Sequence, residues 1–175
     1  KDGGVTIQGE GTKVDAQGVN YVGGNGIYSK TGVEISGAEV TANGFYGIST
    51  GGGVTISGGA DVDITGAKMY GIMAKGGSVC IEDDGTKVDA EVKNYNGIGI
   101  YGLKDIRISG AEVKASGNYG ISANTGVTIS SGAQVKATGM SESGISNSGG
   151  ITIQGEGTKV TATSEGNNSG LQAFS

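Results

Sequence analysis

The stretch Gly53-Val54-Thr55-Ile56-Ser57-Gly58-Gly59-Ala60-Asp61-Val62-Asp63-Ile64 holds two short runs in which apolar and polar residues alternate across a glycine pair. Alternation with a period of two marks a strand with one buried face. The first run recurs as Val5-Thr6-Ile7, Val33-Glu34-Ile35, Val79-Cys80-Ile81, Ile106-Arg107-Ile108, Val127-Thr128-Ile129 and Ile151-Thr152-Ile153. The second recurs as Val14-Asp15-Ala16, Val40-Thr41-Ala42, Val88-Asp89-Ala90, Val113-Lys114-Ala115, Val135-Lys136-Ala137 and Val160-Thr161-Ala162. A third unit, a glycine followed by an aliphatic residue, reads Gly26-Ile27, Gly47-Ile48, Gly71-Ile72, Gly97-Ile98, Gly120-Ile121, Gly144-Ile145 and Gly170-Leu171.

Successive first units start 28, 21, 25, 27, 21 and 24 residues apart, and no stretch between them has the 3.6-residue period of a helix. Three short strands per coil, separated by Gly-rich corners, predict a single all-β domain over residues 1–175: a three-faced parallel β-helix of about seven rungs. Val, Ile and Ala at the inward positions fill a narrow core. A longer cycle overlies the short one. Residues 5–78 and 79–150 form two three-rung blocks, and a third block begins at 151, where Gly155-Glu156-Gly157-Thr158-Lys159-Val160 repeats Gly9-Glu10-Gly11-Thr12-Lys13-Val14 residue for residue. A solenoid end exposes unpaired backbone and an open core. Neither end reads as a cap, so the chain is expected to be a fragment of a longer repeat protein.

Composition narrows the function. Of 175 residues 38 are glycine, with no proline, tryptophan or histidine, and the net charge is −5. Binding to nucleic acid requires clustered lysine and arginine, and no basic run exists, so that partner is not expected. No apolar run is long enough for a membrane span. The single cysteine, Cys80, cannot form an intrachain disulfide. It takes an outward place that threonine fills on four of the seven rungs, and is read as a surface substitution. Without histidine, and with a lone cysteine, the usual acid–base and nucleophilic chemistry has no basis, and the chain is expected not to be an enzyme.

Phrases such as Gly53-Val54-Thr55-Ile56-Ser57-Gly58-Gly59 and Tyr119-Gly120-Ile121-Ser122 resemble the Gly-rich parallel β-helix repeats of large bacterial cell-surface proteins, including adhesin-like and carbohydrate-binding ones. The likeness covers essentially the whole chain. More distantly the pattern is similar to the pectate-lyase-like β-helix. The resemblance implies a right-handed coil, an extracellular or cell-surface location and a polysaccharide or host-glycan partner for a module expected to be monomeric. The distant likeness implies polysaccharide lyases and hydrolases, in which basic groups act beside calcium-binding acids. Arg107 is the only arginine and has no matching acid motif, so this reading is disfavoured.

Two side-chain groups are candidates for a site. Directly before the Gly–aliphatic step sit Asn25, Tyr46, Tyr70, Asn96, Tyr119, Ser143 and Ser169, with Phe45, Tyr95 and Tyr21 close by. An aromatic ridge is expected over rungs two to five. Tyrosine rings stack on the C–H faces of sugars and their hydroxyls add hydrogen bonds. Asn20, Asn43, Asn94 and Asn118 are the neighbouring polar partners. The competing reading is a stacked ladder that stabilises a corner with no ligand. The second group is Asp61, Asp63 and Asp89, with Glu39 and Lys87 nearby. It is a candidate calcium site, or a glycosidase carboxylate pair, weighed against a solvated face of mixed charge. No other cofactor is expected. Three functions stay open: a glycan-binding module, a structural stalk or display rod, and a relative of polysaccharide-degrading enzymes.

Overall fold

The computed structural model describes residues 3–19, 21–65 and 67–174. Its 21 strands form three seven-stranded parallel sheets, each taking one strand from every rung. The first sheet runs Val5–Gln8, Gly32–Ser36, Gly53–Ser57, Val79–Glu82, Ile106–Ser109, Val127–Ser130 and Ile151–Ile153. The second runs Lys13–Gln17, Glu39–Asn43, Asp61–Asp63, Lys87–Glu91, Glu112–Gly117, Gln134–Gly139 and Lys159–Ser164. The third runs Asn25–Ser29, Tyr46–Thr50, Tyr70–Ala74, Ile98–Gly102, Tyr119–Ala123, Ile145–Asn147 and Leu171–Ala173. Among the described residues there is no helix. The chain is a β-solenoid of about seven turns.

Register explains why so short a strand suffices. Val33 pairs with Val54, Ile35 with Ile56, Val62 with Val88 and Ala115 with Ala137, so identical residues stack from rung to rung. Parallel pairing then sets a spacing of about 4.8 Å between them. Isoleucines 35, 48, 56, 72, 81, 100, 108, 121 and 129 are wholly buried and form one continuous core with the valine and alanine columns. No strand is stable by itself; each is held by its two neighbours and by the stripe of apolar residues along the axis.

The corner between the first and second sheets carries a device that recurs on every third rung. Thr86 Oγ1 accepts a hydrogen bond from the Gly59 amide of the preceding rung at 3.0 Å, and Thr158 Oγ1 accepts one from Gly132 at 3.1 Å. Thr12 and Thr158 also donate to the carbonyls of Gln8 and Gln154 at 3.1 and 2.9 Å. Thr86 is fully buried, so this hydroxyl replaces the water that the neighbouring amide would otherwise need.

The glycine that opens the third sheet is required by close approach rather than by an unusual φ. A Cβ built on Gly120 would lie 2.6 Å from the Gly144 carbonyl oxygen, 2.8 Å from the Thr138 nitrogen and 2.9 Å from the Ala115 carbonyl oxygen. All three are backbone atoms, so nothing can give way. The same criterion corrects the fourth rung. Ile100, not Ile98, pairs with Ile72 and Ile121, so the structural step there is Gly99-Ile100. Gly97-Ile98 sits two residues too early, and Ile98 falls in the column of Tyr70 and Tyr119 in place of the expected Asn96.

Candidate functional site

The outer face of the third sheet carries the largest aromatic group. Tyr46 and Tyr70 are paired in register on rungs two and three, and their rings stack with centroids 5.8 Å apart and planes 26° from parallel. Parallel strands place equivalent side chains about 4.8 Å apart, close to the ring separation that offset stacking favours, so the two phenols align with little distortion. Phe45 meets the edge of Tyr46 at 5.0 Å and 85°. Tyr101, from the fourth rung, extends the group: its ring is 5.6 Å from that of Tyr70, tilted by 50°. The Lys75 ammonium sits over the Tyr46 ring, 5.8 Å from its centroid.

Ser49, Met73 and Tyr101 share one register column. Met73 is only 4 % exposed and Ser49 1 %, yet neither belongs to the central apolar cluster. Strand alternation puts both on the outer face, in the register column that Tyr101 continues. The rings themselves are half-buried and keep part of their surface toward solvent. Burial raises the phenol pKa of Tyr70 above its ordinary value, with further contributions from Tyr101 and Tyr46, so its hydroxyl stays a hydrogen-bond donor well into alkaline solution.

The expected ridge over rungs two to five is therefore interrupted and re-formed. Tyr46, Tyr70 and Phe45 come together as anticipated. Tyr119 stands in the same column but beyond Ile98, and its hydroxyl is bonded to Glu142; burial first, and then the Glu142 charge and hydrogen bond, raise its pKa. Tyr95 and Tyr21 lie in loops, 70 % and 80 % exposed, with no ring contact among the described residues. Tyr101 was missed, because the Gly97-Ile98 alignment shifted the fourth rung by two residues. Asn94 is used locally, its side-chain oxygen accepting from the Asn96 amide at 3.2 Å. Asn118 Oδ1 is buried with no hydrogen-bond partner, next to Tyr119. Asn43 closes its second-sheet strand two residues before Phe45, and Asn20 lies outside the described residues.

The acidic group lies on the outer face of the second sheet. Asp61, Asp63, Lys87, Val88, Asp89, Glu112 and Lys114 line a shallow groove of about 190 Å³. Two register columns build it: Asp61–Lys87–Glu112 and Asp63–Asp89–Lys114. The expected neighbourhood of Asp63 and Asp89 is present, but the lysines are threaded between the acids. Among the described residues no group of three His, Cys, Asp or Glu side chains is placed to hold a metal ion. Asp63 is also engaged, accepting from the Thr65 amide at 3.1 Å.

Fold and surface together define the class: a parallel β-solenoid with an aromatic platform on one face. No protein-family model, curated protein or solved structure matches the chain.

Proposed function

We propose that this chain is a non-catalytic, extracellular or cell-surface repeat module that binds polysaccharide or host glycan on the third-sheet platform. The observation that carries the reading is the pair Tyr46–Tyr70, in register on adjacent rungs, with the half-buried Tyr101 ring beside Tyr70 from the next column. A pyranose unit has about the same length as the rung spacing, so successive sugars of an extended chain can each meet a ring. Aromatic faces take up the C–H surface of a sugar, and the phenol hydroxyls supply directional hydrogen bonds. The likeness of the repeats to Gly-rich surface solenoids of the adhesin type, and more distantly to pectate-lyase-like β-helices, agrees with a polysaccharide partner.

A second reading is a stalk or display rod, favoured by one observation: the rings pack against one another along the sheet and so stabilise it with no ligand. The two separate cleanly on a glycan array probed with the purified chain and with Tyr70→Ala. Glycan binding predicts a saturable hit that weakens roughly tenfold in the variant, since an aromatic contact of this kind contributes about 0.5–1.5 kcal/mol beyond the area it buries and the substitution removes both. Binding unchanged by the substitution would remove the platform as the binding face.

A further inference from the structure

We infer that the glycan taken by this platform is anionic, bearing carboxylate or sulfate groups. This rests on the glycan-binding reading above and names its substrate class. The seven strands of the third sheet contain no Asp, Glu, Lys or Arg at all, so the charge around the platform comes from the loops that flank it. On rungs one to four those loops hold Lys30, Lys75 and Lys104 on one side and Lys68 and Lys93 on the other. The one acid among them is Asp105, and it is engaged by Arg107 at 2.5 Å. In a chain with 17 acidic and 12 basic residues, five lysines against one ion-paired acid in these loops is a concentrated exception; of the five, Lys93 also shares a groove with Glu91 and Glu165 on its second-sheet side.

The five lysines are exposed, and none makes an ion pair among the described residues. Lys75 shows how the rim reaches the platform, since its ammonium already lies over the Tyr46 ring. The basic rim also ends where the platform ends. On the later rungs the same loops contribute Glu142, bonded to Tyr119, and Glu165. Aromatic rings aligned along the axis, with ammonium groups on both sides at intervals of one or two rungs, fit a polymer that presents apolar sugar faces inward and acidic substituents outward. Rungs three and four carry lysines on both sides, so acidic groups on consecutive sugars, about 5 Å apart, would each find a partner there. Such contacts between exposed charges are individually weak and are screened by salt, so the acidic preference should be collective and should fade as ionic strength rises.

The test uses an array of neutral, carboxylated and sulfated glycans, followed by titration of the hits at low and high salt. The variants are Lys30→Gln/Lys75→Gln/Lys104→Gln and Tyr46→Ala/Tyr70→Ala, with Lys13→Gln/Lys159→Gln on the second sheet as the control. Acidic glycans should dominate the hits, and the triple lysine variant should weaken them roughly tenfold while the control leaves them unchanged. Carboxylated and sulfated probes separate the two sources of charge. Neutral glycans that bind as well as acidic ones and are lost in the tyrosine variant would overturn the acidic preference while sparing the platform. Acidic hits that weaken equally in the control would overturn the rim. An array with no hit would overturn both this inference and the glycan-binding reading.

Discussion

Asp89 stands in register between Asp63 and Lys114, and one of its carboxylate oxygens is buried without a hydrogen-bond partner. Burial raises its pKa above the ordinary aspartate value; Glu91 adds to the shift, Lys114 opposes it, and Asp63 and Glu112 contribute smaller increments. A carboxyl whose folded pKa lies above its unfolded one favours folding in its neutral form. That contribution is present in full below the ordinary aspartate range and is lost as pH rises through the raised value. Asp89→Asn keeps the neutral shape at every pH. The variant should therefore melt above the parent at neutral pH, with the gap closing as the solution is taken down toward about pH 3. Melting curves of both proteins across that range measure it, and a gap that does not change with pH would show that the carboxylate loses nothing by its burial. At this scale the sequence was partly legible. The Asp63–Asp89 column follows from counting alternation. What counting cannot show is how closely Lys87 and Lys114 stand between and beside the acids.

Among elements, the third sheet was harder to read than the first two. The Val-x-Ile and Val-x-Ala units fix their own register, because a slip of one residue would turn every apolar side chain outward. The third sheet is defined by only one glycine and one isoleucine per rung, and on the fourth rung Gly97-Ile98 and Gly99-Ile100 fit that rule equally well. Backbone packing decides between them, and with it the place of Tyr101 in the aromatic group. The steric origin of the glycine column can be checked directly. Gly120→Ala places a methyl group against three backbone atoms of its own and the next rung, none of which can rotate away. Overpacking of that kind costs about 1–3 kcal/mol. Gly126→Ala is the matched control, since the nearest atom to its added Cβ is a side-chain oxygen of Asp105 at 3.4 Å. Chemical denaturation should show the first variant clearly destabilised and the second close to the parent or slightly above it, since Gly→Ala also lowers the entropy of the unfolded chain; equal losses would mean that contact with the neighbouring backbone does not set the glycine requirement.

For the molecule as a whole, the repeat made the architecture legible because one decision, the inward or outward place of each residue, is taken seven times over and every copy agrees. Its stability should have the same one-dimensional character, each rung depending on the two it touches. Val62 is the sharpest probe of this. It lies on the third rung, fully buried, paired with Val40 on one side and Val88 on the other. Val62→Asp places a carboxylate in a core with no partner to receive it; the group must stay unpaired at a cost of several kcal/mol or force the rung open toward water. Opening one rung unpairs both neighbours, so the loss should spread and unfolding should cease to be a single sharp transition. Val160, in the equivalent place on the seventh rung, is only half-buried and, among the described residues, pairs on one side alone, with Val135. Val160→Asp should therefore lower stability much less and leave the transition cooperative. Hydrogen exchange reports both outcomes: in Val62→Asp protection should fall across rungs two to four and persist in rungs five and six, while in Val160→Asp the loss should stay within the last two rungs. A uniform loss of protection along the entire chain in either variant would mean that the solenoid folds as one indivisible unit and that nearest-neighbour coupling does not describe it.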